Sequence, residues 1–198
     1  MSNPKFFTVA TAALAAIFLL AGCTAAHTSA PLSTTNAEGP IFAELGMEGF
    51  DAREVVEALD AMPIAARPDG LTTSIKAHEV TLTDSDGNTE QLPLPDDVVY
   101  ISAAPYLSQT HDCYYHSPTS CIGELQNTDI DVIVTNVTTG EVVLDESLRT
   151  LDNGFVGIWI PRDIDASITV TYQDQSATSI ISTSGDEVQT CLTTLQLI

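Results

Sequence analysis

The chain has 198 residues, of which 27 are acidic and 6 basic, giving a net charge of −21. Such a surface repels phosphate backbones and excludes nucleic-acid binding as a function. It also repels an anionic bilayer, so any hold on a membrane must come from an apolar anchor rather than a basic patch.

The first element is an export signal. Met1 to Lys5 carry one positive charge, and Phe6 to Leu20 form an Ala-rich apolar stretch. That stretch is shorter than the roughly 20 residues a spanning helix needs, and its layout is that of a cleaved secretory signal. It ends in Leu20-Ala21-Gly22-Cys23, which is similar to a bacterial lipobox. In such signals the cysteine is acylated, so residues 1–22 are expected to be removed and Cys23 to carry lipid on the outer face of the cell membrane. Residues 23–39 are rich in Ala, Ser and Thr without a hydrophobic period and read as a flexible tether. Residues 40–198 are expected to form one domain.

Within that domain, Asp51 and Glu54 have the spacing of a capping box. Val55, Val56, Leu59 and Met62 then share a helical face, which predicts a helix over about 51–62 ending at Pro63. Beyond Gly70 the period changes to two. The predicted strands are Ile75–Thr83, Glu90–Leu94, Val98–Ala103, Asp129–Val137, Glu141–Leu148, Phe155–Ile160, Ser167–Tyr172, Thr178–Thr183 and Leu192–Leu197. Pro93 and Pro95 mark an edge strand, and Trp159 and Phe155 are expected to fill the core. Short β-branched strands separated by turn residues predict a mainly β protein: an antiparallel immunoglobulin-like or prealbumin-like sandwich with a short N-terminal α-helical segment.

Chemistry concentrates between Thr110 and Leu125, where His111, Cys113, His116 and Cys121 fall within eleven positions. Pro118 and the surrounding Ser and Thr residues make this a loop. The fourth cysteine of the sequence, Cys191, lies just before the last predicted strand and can reach the loop only through tertiary folding. If Cys23 carries lipid, three cysteines remain, an odd number in an oxidising compartment, so at least one thiol is unpaired within a monomer. Three readings stay open on the residues alone. Thiolates select Cu(I), zinc or iron–sulfur clusters; three suit trigonal Cu(I), and zinc would take a fourth ligand such as His116 or His111. A Cys113–Cys121 disulfide would close a small loop worth roughly 2–3 kcal/mol. Thiol–disulfide oxidoreductase chemistry lacks a Cys-x-x-Cys motif and its βαβ context. No Ser-His-Asp set, phosphate loop or facing carboxylate pair is legible.

The segment His111-Asp-Cys-Tyr-Tyr-His-Ser-Pro-Thr-Ser-Cys-Ile-Gly-Glu-Leu125 resembles the signature of the CueP family of exported bacterial copper-resistance proteins. Leu92-Pro-Leu-Pro-Asp96, Ala104-Pro-Tyr106, Asp152-Asn-Gly-Phe-Val-Gly157, Pro161-Arg-Asp163 and Thr190-Cys-Leu-Thr-Thr-Leu-Gln196 extend the likeness from about Leu45 to the end. The resemblance implies copper binding through Cys113, Cys121 and Cys191, and reduction of Cu(II) to Cu(I) with thiol oxidation. A periplasmic or extracellular copper-protein or thiol-redox partner and a homodimer are left open. The lipobox departs from the soluble periplasmic members and bears on the compartment, not on the chemistry. Two other functions remain as alternatives: a disulfide-stapled extracellular sandwich that binds a protein partner, and a zinc-binding protein that uses the same Cys/His loop.

Overall fold

The structure, a computed structural model, describes residues 36–198. The signal segment, Cys23 and most of the tether lie outside the described residues. Among the described residues no helix is long and apolar enough to cross a membrane.

Helix α1 (Pro40–Glu44) opens on a proline, which leaves fewer free amides at its start. Two of those amides, Ile41 and Phe42, donate to the Glu90 carboxylate at 3.1 Å each. Helix α2 (Ala52–Asp60) has the expected capping box. Asp51 accepts from the Arg53 and Glu54 amides at 2.9 Å, and the Glu54 carboxylate accepts from the Asp51 amide at 2.9 Å. The helix stops at Asp60, two residues short of the predicted end, with Ala61 as its C-cap.

Ten strands follow: β1 (Thr72–Ile75), β2 (Glu79–Thr83), β3 (Thr89–Pro93), β4 (Val98–Ala103), β5 (Asp129–Asn136), β6 (Val142–Arg149), β7 (Val156–Pro161), β8 (Asp165–Tyr172), β9 (Gln175–Ser182) and β10 (Cys191–Leu192). They form three sheets, ordered β1-β2-β3, β10-β4-β7 and β6-β5-β8-β9. Every pairing is antiparallel except β10 on β4. The proline-marked strand β3 is an edge, as expected.

Alternation builds the sandwich. Val99, Ile101 and Ala103 of β4 and Val156, Ile158 and Ile160 of β7 pack in one buried cluster with Ile130, Val132 and Val134 of β5 and Ala166, Ile168 and Val170 of β8. The opposite face of β4 meets a second cluster. There Val55, Val56 and Leu59 of α2 join Ile75, Val80, Leu82, Leu92 and Tyr100. The result is the expected mainly antiparallel β-sandwich, with short helices near the N-terminal side.

Three sequence expectations change. The predicted strand 75–83 is two strands, because the Lys76 amide turns back to the Glu79 carbonyl at 2.9 Å and Ile75 instead pairs with His116. The predicted last strand shortens to Cys191–Leu192, since the Gln196 amide closes a turn onto the Thr194 carbonyl. Neither expected aromatic enters the sandwich core: Phe155, just before β7, is buried with Cys121 and Cys191, and Trp159 is turned to the other face because β7 buries Val156, Ile158 and Ile160. Trp159 packs there against Tyr100, with ring centroids 4.9 Å apart, and donates to Glu57 at 2.9 Å.

Candidate metal centre

The chemistry sits at the C-terminal end of β4, where the loop 110–125 and the chain terminus converge. Thr190 makes the junction. Its hydroxyl donates to the Ile75 carbonyl at 2.5 Å and accepts from the His116 amide at 3.0 Å. The Thr190 and Cys191 amides both donate to the Tyr114 carbonyl at 3.0 Å. The Gln189 side-chain amide bridges the Cys191 and Cys113 carbonyls at 2.8 and 3.3 Å. Tyr114 donates to the Glu187 carbonyl at 2.7 Å, and Tyr115 donates to the Glu187 carboxylate. These bonds carry Cys191, remote in sequence, onto the loop.

The far side of the loop is fixed as tightly. The Cys121 amide donates to the Ser117 carbonyl at 2.8 Å. Arg67 donates to the Cys121 carbonyl at 3.0 Å. The Gly123 amide donates to the Asn153 carbonyl at 2.6 Å. Gly123 and Gly154 approach so closely that a Cβ on Gly154 would stand 2.5 Å from the Gly123 carbonyl oxygen. The Glu124 carboxylate accepts the Leu107 and Ser108 amides at 2.7 and 2.9 Å and the Ser108 hydroxyl at 2.5 Å. Those bonds hold it down at about pKa 2.

His111, Cys113, Cys121 and Cys191 form one cluster, whose nearest ligand atoms all lie within 4.8 Å of one another. Cys113 and Cys191 are joined as a disulfide with their Cα atoms 5.6 Å apart. Cys121 is a buried free thiol, with its Sγ 3.5 Å from that of Cys113. The disulfide weighed as one reading of the sequence, Cys113 with Cys121, is therefore not the one joined. Hydrogen bonding of residues 190–191 to Tyr114 places Cys191 on Cys113, while the Ser117 turn leaves Cys121 in contact but unbonded.

The two histidines of the loop have different settings. His116 is fully buried, and its Nε2 lies 2.9 Å from Asp60 Oδ1. Nδ1 of His116 and Nε2 of His111 are buried without a hydrogen-bond partner. Burial pulls the His116 pKa down, but the Asp60 carboxylate outweighs it and lifts the imidazole to about 9. Burial pushes Cys121 up, yet His116, with help from the Ser117 backbone and His111, brings it down to about 7. The site thus favours a Cys121 thiolate beside a His116 imidazolium between about pH 7 and about pH 9. One thiolate, two further sulfurs and the unpartnered His111 nitrogen form a soft donor set of the kind Cu(I) takes, and His116 stands outside that set of four.

Of the loop residues singled out in the sequence, His111, Cys113 and Cys121 come together with Cys191, whereas His116 lies outside that cluster with its ring on Asp60. Among the described residues, His78 stays at the surface beside Asp186. Sequence reading missed Asp60. The signal was present: Asp60 follows Val56 by one helical turn and so lies on the apolar stripe of α2, where a carboxylate needs a partner. It also sits at a helix C-terminus, where the dipole disfavours it.

The family model for the periplasmic copper-binding protein CueP matches residues 54–196. The crystal structure of S.CueP is similar to this one, with a TM-score of 0.74 and 34% sequence identity, covering 82% of this chain and 100% of that one. No curated protein matches the chain. With a family model spanning both loop cysteines, Cys191 and Asp60, the chain belongs to the CueP family of periplasmic copper-binding proteins.

Proposed function

We propose that this protein binds Cu(I) outside the cytoplasm through the thiolates of Cys113, Cys121 and Cys191, for copper tolerance, and that it reduces Cu(II) when it meets it. The observation that carries the reading is the convergence of three sulfurs and His111 within 4.8 Å. His111, inside that cluster with its Nε2 buried and unpartnered, is the nitrogen donor at hand to complete the shell, and His116 can add a second only by giving up its Nδ1 proton to the incoming ion.

The disulfide and the three-thiolate site are two oxidation states of one cluster. In the reduced state, Cys113 and Cys191 each give one electron to a Cu(II) ion. Two Cu(II) become two Cu(I), the two sulfurs join, and any thiol protons leave to solvent. Cys121 and the histidine nitrogens remain to hold an ion while the disulfide awaits reduction by an external thiol partner. Export by the N-terminal signal and anchoring through a lipidated Cys23 complete the reading; a mass measurement on the mature N-terminus tests the anchor.

The test of binding is an anaerobic Cu(I) titration of the reduced protein against a chelator. One high-affinity Cu(I) per chain is expected, and Cys191→Ser should weaken it by several kcal/mol, because one thiolate–metal bond is lost. Equal affinity in Cys191→Ser and the parent contradicts the three-sulfur site. Competition with Zn(II) in the same titration separates this reading from zinc binding. Thiol counts before and after Cu(II) addition test the reduction: loss of two thiols with two Cu(I) formed supports it, and an unchanged count leaves binding alone.

A further inference from the structure

Behind the sulfurs lies a buried polar assembly that copper binding by cysteines does not itself require. The Asp60 carboxylate and the His116 ring are both fully buried. Four donors converge on that carboxylate. Tyr100 and Ser102 donate to Oδ2 at 2.6 and 3.0 Å, and Asn153 donates to Oδ1 at 2.6 Å. The His116 Nε2 occupies the remaining direction at 2.9 Å. Asn153 is itself fixed, since its amide also donates to the Asp60 carbonyl at 3.1 Å and its Oδ1 accepts from the Phe155 amide at 2.9 Å. Gly157 leaves the room that Tyr100 uses, because a Cβ there would coincide with the phenol oxygen. Removing a carboxylate from water costs several kcal/mol, and an apolar residue in its place often serves stability as well or better. The assembly is therefore better explained by what it holds than by what it stabilises.

What it holds is one ring in one orientation. Nε2 of His116 is engaged by Asp60, and the Phe155 ring packs against the imidazole with centroids 4.6 Å apart. Nδ1 is the nitrogen left over, buried and without a hydrogen-bond partner. We infer that Asp60 is the positioning residue of this centre: it fixes the orientation of His116 through Nε2–H and so presents Nδ1 to Cys121, and to a metal ion there that displaces the Nδ1 proton to solvent. Metal-ligating histidines commonly donate their other ring N–H to a carboxylate in this way, which fixes the tautomer and raises the basicity of the ligating nitrogen. His111 offers the contrast. Its Nε2 is likewise unpartnered and its ring meets Phe155 edge-on at 6.1 Å, but no carboxylate stands behind it. The device acts on one histidine of the pair.

The metal part of this inference rests on the copper reading above; the ring orientation does not. The test is a double-mutant cycle with Cu(I) on the reduced full chain, comparing the parent, Asp60→Asn, His116→Ala and the double variant. Asp60→Asn is expected to lower Cu(I) affinity about 10–100-fold, and the double variant should bind no more weakly than His116→Ala alone. Asp60→Asn with parental affinity overturns the inference. So do losses that multiply in the double variant, because a carboxylate that merely supports the fold would weaken binding with or without the imidazole. Nitrogen-resolved NMR of the metal-free parent gives a second readout that needs no variant to fold. A slowly exchanging proton on His116 Nε2 is expected; a ring free to exchange that proton with solvent overturns the positioning role. If the parent binds no Cu(I), the copper reading fails and the NMR result decides the positioning role by itself.

Discussion

The two faces of β4 do different work with the same six residues. Val99, Ile101 and Ala103 point into the sandwich, where the buried residues around them are aliphatic. Tyr100 and Ser102 point the other way and donate to the buried Asp60 carboxylate. One face contributes non-directional burial, proportional to area. The other contributes directed hydrogen bonds whose value depends on every partner being present. The end of the strand then passes into the sulfur cluster through Ala104. The sulfur cluster is thus held from behind by a polar layer and only indirectly by the sandwich core.

The largest effect expected bears on the staple across the two regions. The Cys113–Cys191 disulfide closes a loop with a sequence separation of 78, for which chain entropy gives roughly 4–5 kcal/mol of stabilisation. Urea unfolding with and without a reductant should show a loss of that order. Equal midpoints would mean that the disulfide constrains little of the unfolded chain. Next, Ile101→Ala on the sandwich face should cost about 2–5 kcal/mol of stability. Cu(I) affinity of the molecules that remain folded should stay as in the parent, and a large drop would erase the distinction between the faces. Gly157→Ala should do the reverse. Its overpacking cost is about 1–3 kcal/mol, but it displaces the Tyr100 hydroxyl from Asp60 and should weaken Cu(I) binding beyond what Ile101→Ala does.

The smallest effect is one of pH. Cys121 lies at about 7 against an ordinary 9.0, so its contribution is present at high pH and is lost as pH falls through about 7. His116 is shifted the opposite way, from 6.5 to about 9, so its contribution is present at low pH and is lost as pH rises through about 9. The thiolate–imidazolium pair is intact between those limits. Alkylation of Cys121 in disulfide-intact protein, followed by peptide mapping, should reach half its maximal rate near pH 7. A midpoint near 9 would show that His116 does not act on the sulfur.

Much of this was legible in sequence because it follows from local rules. The capping box at Asp51 and Glu54, the apolar run of β4, the alternation of β5 and β8, and the edge prolines of β3 each express a short-range preference that the tertiary fold respects. The loop carrying Cys113 and Cys121 stood out because four soft or imidazole donors rarely fall so close together. What escaped depends on contacts between distant segments. The break after Ile75 arises because His116 captures that backbone, and nothing within residues 75–83 encodes the capture. The choice of Cys191 over Cys121 as the partner of Cys113 is made by Tyr114 and Thr190. Asp60 was visible as an acid on an apolar helical stripe, but its partners come from β4, the loop and Asn153, and only the fold brings them to one place.

The central claim is that three sulfurs separated along the chain serve one ion. X-ray absorption at the copper edge, on reduced protein carrying one Cu(I), tests it most directly. A first shell dominated by sulfur is expected, with a loss of sulfur scattering in Cys191→Ser. A shell of nitrogen and oxygen alone, or one unchanged by that substitution, would contradict it.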